Sequence, residues 1–215
     1  MPKAATVALM MTLVLFLSLT LRPTPVAPPA SPSPKVVRVV VDAGHGGKDP
    51  GASIGGVDEK DLNLALALRV AALARSYPNL EVVLTRDTDR YLTLEERLGL
   101  AHRLGAAAYI SIHGNSFPQA TRCGVETLVD TTRSPGDPWY SLAEHVQREV
   151  VLATGAQDLG VRRQPLYLSS CRVPAVLVEV GHLSCPAERI RLLSPAYQDR
   201  LAKGILQGIL EFLGL

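Results

Sequence analysis

From residue 35 onward the apolar positions of this chain alternate between two rhythms. Val36 to Val41 is a β-branched run broken only by Arg38, and it ends in Asp42-Ala43-Gly44-His45-Gly46-Gly47. Such a run closed by glycines predicts a buried strand followed by a tight loop. Leu62, Leu66, Val70 and Leu73 then recur at three- and four-residue spacing, with Asn63 and Arg69 off the stripe. That spacing predicts an amphipathic helix ending before Pro78. The alternation continues with a strand at Leu80–Thr85, a helix at Thr93–Leu104 opened by a Thr93/Glu96 capping box, and strands at Ala108–His113 and Gly124–Asp130. A helix at Tyr140–Ala153 stopped by Gly155, a strongly apolar strand at Pro174–Val180, and helices near Pro186–Leu193 and Tyr197–Leu213 complete the pattern. Strands and helices taken in turn predict an α/β layer architecture with helices on both faces of the sheet. His45, His113 and Glu179 all fall at or just past the C-terminal ends of predicted strands, where ligand sites of open α/β sheets collect.

The first 34 residues break this rhythm. Ala4 to Leu21 carries 18 uncharged residues between Lys3 and Arg22, and Arg22 to Pro34 holds six prolines in 13 residues. Residues 1–22 therefore read as a signal peptide or a signal anchor, with a length between the two classes, and 23–34 as a proline-rich extended linker. Either way, residues 35–215 are expected outside the cytoplasmic membrane, in the periplasm or cell envelope, secreted or anchored.

Charge narrows the choice of partner. The chain has 22 Lys plus Arg against 20 Asp plus Glu, and without residues 1–34 the two signs balance at 20 each. A formally neutral domain is a poor fit to charge-driven binding of nucleic acid, which needs clustered cations. Cys123, Cys171 and Cys185 are an odd number without CxxC spacing. They suit either one disulfide plus one thiol or three reduced cysteines, and argue against a structural zinc cluster.

Two histidines stand apart from the other three. His102 and His145 sit within predicted amphipathic helices as solvated residues. His45 and His113 lie instead in short loops after buried strands, in D-A-G-H-G-G and S-I-H-G-N-S. Two such histidines plus one carboxylate form a catalytic zinc set with a fourth position left for water. Glu59, just ahead of the first helix, suits the third ligand or an acid favoured by the helix macrodipole. Glu179 interrupts Ala175-Val176-Leu177-Val178 and Val180. A carboxylate in such a strand needs a partner such as Arg86, a raised pKa, or a role as general base.

The ordered motifs V-V-V-D-A-G-H-G-G-K-D-P-G-A, E-K-D-L-N-L, V-V-L-T-R-D-T-D, S-I-H-G-N-S, G-V-E-T and P-A-V-L-V-E-V-G-H-L-S span Val36 to the C-terminus. Together they resemble the zinc-dependent N-acetylmuramoyl-L-alanine amidases of bacterial cell walls, amidase type 3. The resemblance implies a single α/β domain with a twisted, mostly parallel central sheet. It also implies one Zn2+ on His45, Glu59 and His113, Glu179 as catalytic base, and peptidoglycan as substrate. Asn115, Glu126 and Arg86 are candidates for positioning loops or substrate. His182 stands where the family commonly has an aromatic residue, and Cys185 where it has asparagine. His182 suits the substrate groove, a hydrogen bond to Glu179, or plain packing. Some relatives insert a long helix that covers the zinc until an activator displaces it. Thr131 to Trp139 is only nine residues with Pro135, Gly136 and Pro138, so an open site and a monomer without an activator are expected. The competing readings are another zinc-dependent wall peptidase or deacetylase, and a catalytically silent wall-binding module.

Overall fold

The computed structural model describes residues 36–117 and 122–215. The proposed leader (1–22) and linker (23–34) lie outside the described residues. Among those described, no helix is long and apolar enough to cross a membrane.

The elements follow in chain order as β1 (Val37–Ala43), a small hairpin of β2 (Ser53–Ile54) and β3 (Val57–Asp58), α1 (Glu59–Ala74), β4 (Leu80–Leu84), α2 (Leu94–Leu104) and β5 (Ala108–Asn115). Then come β6 (Val125–Asp130), α3 (Pro138–Thr154), β7 (Asp158–Gln164), a 3-10 turn (Tyr167–Ser170), β8 (Ala175–His182), α4 (Pro186–Leu192) and α5 (Pro195–Leu213). Six strands form one sheet in the order β4-β1-β5-β8-β6-β7. All neighbours are parallel except β6 and β8, so the architecture is the mostly parallel α/β domain expected.

Alternation along β1 divides the core. Val39 and Val41 join Ile110, Ile112 and Val178 under α1, α3 and α5, whereas Val40 joins Tyr109 and Leu177 under α2 and the 3-10 turn. Gly204 and Gly208 let α5 press on α3, because a Cβ at Gly208 would stand 2.5 Å from the Val146 Cα.

Three features depart from the expected pattern. β7 carries Arg162, Arg163 and Gln164 and is largely exposed; as a polar edge strand it offers no apolar run to read. The β2–β3 hairpin is too short to show any periodicity. α3 opens at Pro138 rather than Tyr140, since proline suits the first helical position, where its missing N–H costs nothing.

Candidate metal centre and active site

The loop after β1 is built for close approach. His45 has φ 60°, the sole non-glycine at positive φ among the described residues. A side chain held in that sparsely populated region persists when its surroundings demand it. Next to it, a Cβ on Gly44 would lie 2.3 Å from the His113 ring, so glycine lets the two histidines converge with ring centroids 4.9 Å apart. Arg86 and Arg97 hold the loop from beneath. Arg86 donates to the carbonyls of Ala43, Gly44 and Lys60, and Arg97 to those of Ala43 and His45. Arg86 is thus a loop-positioning residue. Its guanidinium is spent on backbone oxygens, so it is not the counter-ion of Glu179.

Glu59 opens α1 and sits between the two rings. Its Oε1 accepts from His113 Nδ1 at 2.9 Å and stands 3.2 Å from His45 Nε2. Asn63 Nδ2 and the Gly114 N–H, each at 3.2 Å, also reach that oxygen, and the Ala52 N–H donates to Oε2. Burial alone would push the Glu59 carboxyl up; the hydrogen bonds and charges of His113 and His45 overcome it and hold the group far below the usual carboxylate range. On the outer side His45 donates from Nδ1 to Asp49 Oδ2 at 2.8 Å, which directs Nε2 inward. Burial opposes the charged imidazole, but the hydrogen bonds to Glu59 and Asp49 win and raise its pKa to about 8.

This donor set fits a metal ion. One atom each from His45, Glu59 and His113 lies within 4.8 Å of the others. Tetrahedral ligands at about 2.0–2.1 Å from zinc stand about 3.3 Å apart, close to the 2.9 and 3.2 Å seen here.

Glu179 lies one strand away, in register with His113 across the β5–β8 pair. Its Oε2 is buried without a hydrogen-bond partner. Burial, and then the negative charges of Glu59 and Glu126, push its carboxyl well above the ordinary value. Glu126 is the next residue in this row, paired with Glu179 across β6–β8, and it accepts from Asn115 Nδ2 at 2.9 Å. Asn115 and Glu126 therefore brace each other beside Glu179. On the opposite flank, a cavity of about 270 Å³ is lined by Asp42, His45, Tyr91, Leu94, His113 and Tyr167, among others.

His182 is fully buried, which takes it out of any open groove; its Nδ1 donates to the Gly124 carbonyl near Glu188, and its Nε2 is buried without a hydrogen-bond partner. His102 and His145 are half-buried rather than solvated, with His102 Nε2 accepting from the Arg172 N–H and His145 Nδ1 bonded to the Ser141 carbonyl. Cys123 and Cys185 form a disulfide, leaving Cys171 as a buried thiol. Asp49, Asn63 and Arg97 were not singled out from the sequence. Asp49 had a usable signal, an acid four residues after a candidate ligand in the same glycine-rich loop.

The N-acetylmuramoyl-L-alanine amidase family profile Amidase_3 matches residues 39–211. The chain belongs to this amidase family. Among similar amidases, LytC of Bacillus subtilis is 31% identical over 175 residues, which make up 81% of this chain and 35% of LytC. The catalytic domain of CwlV from Bacillus (Paenibacillus) polymyxa var. colistinus superposes with a TM-score of 0.79 at 40% identity, covering 83% of this chain and 99% of that domain. The CwlD amidase of Clostridioides difficile, whose structure is of a complex with the GerS lipoprotein, aligns with a TM-score of 0.77 at 29% identity over 83% of this chain and 98% of that one.

Proposed function

We propose that this protein is a zinc-dependent N-acetylmuramoyl-L-alanine amidase. In this reading it hydrolyses the amide between the lactyl carboxyl of N-acetylmuramic acid and the L-alanine of the stem peptide. The observation that carries it is the placing of Glu179, whose Oε2 is buried without a hydrogen-bond partner, one strand from the convergent His45–Glu59–His113 donors. His45 would hold the metal through Nε2, His113 through Nδ1 and Glu59 through Oε1. When bound, zinc supplies a Lewis acid that polarises the scissile carbonyl and acidifies water. Asp49 keeps His45 in the tautomer that leaves Nε2 for binding. Glu179 takes the proton of the attacking water and returns it to the departing L-alanine amine. An elevated pKa makes it a stronger base than an ordinary carboxylate once ionised.

The uncharged segment 4–21, the proline-rich linker and the Cys123–Cys185 disulfide support export to an oxidising compartment. The short turn from β6 to α3, residues 131–137, supports a site that needs no activator, although the relative CwlD was solved with a partner.

The test is digestion of isolated peptidoglycan by the purified protein alone, with mass analysis of the products. New L-alanine N-termini and free lactyl carboxyls are expected. Chelation should abolish them and added zinc restore them. Cleavage within the peptide, release of acetate, or activity indifferent to chelator would overturn the reading.

A further inference from the structure

The site has an unequal rim. Beyond Glu179 and Glu126 stand two arginines. Arg122, just ahead of β6, donates to both oxygens of Glu126 at 3.0 and 3.3 Å, and Arg162 on β7 approaches the same carboxylate at 3.5 Å. Glu126 is buried, whereas the Arg122 and Arg162 side chains are 30% and 54% exposed. Two guanidiniums against one carboxylate leave one positive charge in excess. Each guanidinium has five N–H donors, and Glu126 engages few of them.

Arg122 is also held in place. Its guanidinium stacks over the Phe117 ring at 4.4 Å, and the adjacent Cys123 is bonded to Cys185, ahead of α4. Preorganised guanidiniums recognise carboxylates by paired, charge-assisted hydrogen bonds. The domain has no net charge to attract an acidic polymer, so any such attraction must come from a local patch of this kind.

We propose that Arg122 and Arg162 form a subsite for the stem-peptide carboxylate at the residue after L-alanine, and that they set a preference for acidic over amidated stems. This rests on the amidase reading above. Neighbouring strands lie about 4.8 Å apart, so two strand spacings put β7 about 10 Å from β8. An extended peptide advances about 3.3–3.6 Å per residue, so two to three residues cover that reach from the scissile bond.

The experiment compares un-cross-linked glycan strands whose stems begin either L-Ala–D-isoglutamate or L-Ala–D-isoglutamine. The wild-type enzyme is expected to favour the acidic stem by about tenfold in kcat/KM. Arg162→Gln removes one exposed guanidinium and leaves Glu126 bonded to Asn115 and Arg122. It should bring the ratio close to one through a higher KM for the acidic substrate, and Arg162→Glu should invert it. Equal wild-type rates on both stems would overturn the proposal. So would an Arg162→Gln variant that slows both alike through kcat, the sign of support for Glu126 alone. Wild-type protein that frees no L-alanine N-termini from either substrate would instead sink the amidase reading itself.

Discussion

At the scale of single residues, the site pairs groups whose surroundings drive their pKa values apart. Glu59 is held ionised by two imidazoles, and Glu179 is pushed towards the neutral form by burial and by two neighbouring carboxylates. One of these environments suits a ligand and the other a proton carrier. Glu179→Gln keeps size and polarity but cannot accept the proton. It is expected to bind zinc as tightly as wild type in a chelator competition, and to lose activity by about 10²- to 10⁴-fold. Retained turnover would move the base to another group. The sequence made His45, His113 and Glu179 stand out because each breaks a local rule, a histidine beside glycine after an apolar run or an acid in an apolar strand; His113, expected in a loop, lies within β5, which runs on to Asn115. Arg97 and Asn63 break none, because their hydrogen bonds go to Asp42 and Gly44, 55 and 19 positions away, which no local pattern records.

At the scale of elements, the contact between α3 and α5 depends on small residues. Helix propensity alone favours Gly208→Ala by about 1 kcal/mol. The added Cβ, however, would meet the Val146 backbone at 2.5 Å, so the two helices must part. We expect net destabilisation of about 1–3 kcal/mol, seen as a lower urea midpoint, whereas a neutral or stabilising change would show that α5 can shift at little cost. The strand order is likewise an element-scale matter. Residues 116–124 join β5 to β6, fewer than the dozen or more needed for a parallel crossover. The chain accordingly returns in the opposite direction and leaves a slot between β5 and β6 that β8 later fills. The shortness of this connection was visible in the sequence, but the slot was not.

At the scale of the whole molecule, buried Asp42 ties separate parts of the domain together. It accepts from Thr85 after β4, Arg97 on α2 and Ser111 on β5, at 2.6, 2.7 and 2.7 Å. Burial by itself would raise its carboxyl pKa; the Arg97 charge and these hydrogen bonds outweigh it and lower the value. A folded pKa below the unfolded one means that the unfolded chain binds the proton more tightly. The stabilisation is therefore present above about pH 4 and is lost as pH falls towards the folded value. Arg97→Met strips the charge and leaves Asp42 buried without it. It should cost about 3–5 kcal/mol at neutral pH and move the acid-unfolding limb to higher pH. Urea titrations from pH 3 to 7 would show both effects, and an unmoved acid limb would mean that Asp42 is held down by its hydroxyl partners alone.

The sequence by itself determined the alternation of layers and the chemistry-bearing side chains towards the C-terminal ends of the strands, although β5 and β8 run on past His113 and Glu179 to Asn115 and His182. Both are local: periodicity of two or of 3.6, and an anomalous residue at the end of a run. Tertiary structure alone decided that β8 would insert between β5 and β6, and so set Glu179 between His113 and Glu126. It also decided that Arg86 would grip the loop after β1 rather than Glu179, that His182 would be buried against Gly124, and that Cys123 would find Cys185. These outcomes follow from strand register and from the need of buried polar groups for partners. Both are settled only when distant segments meet.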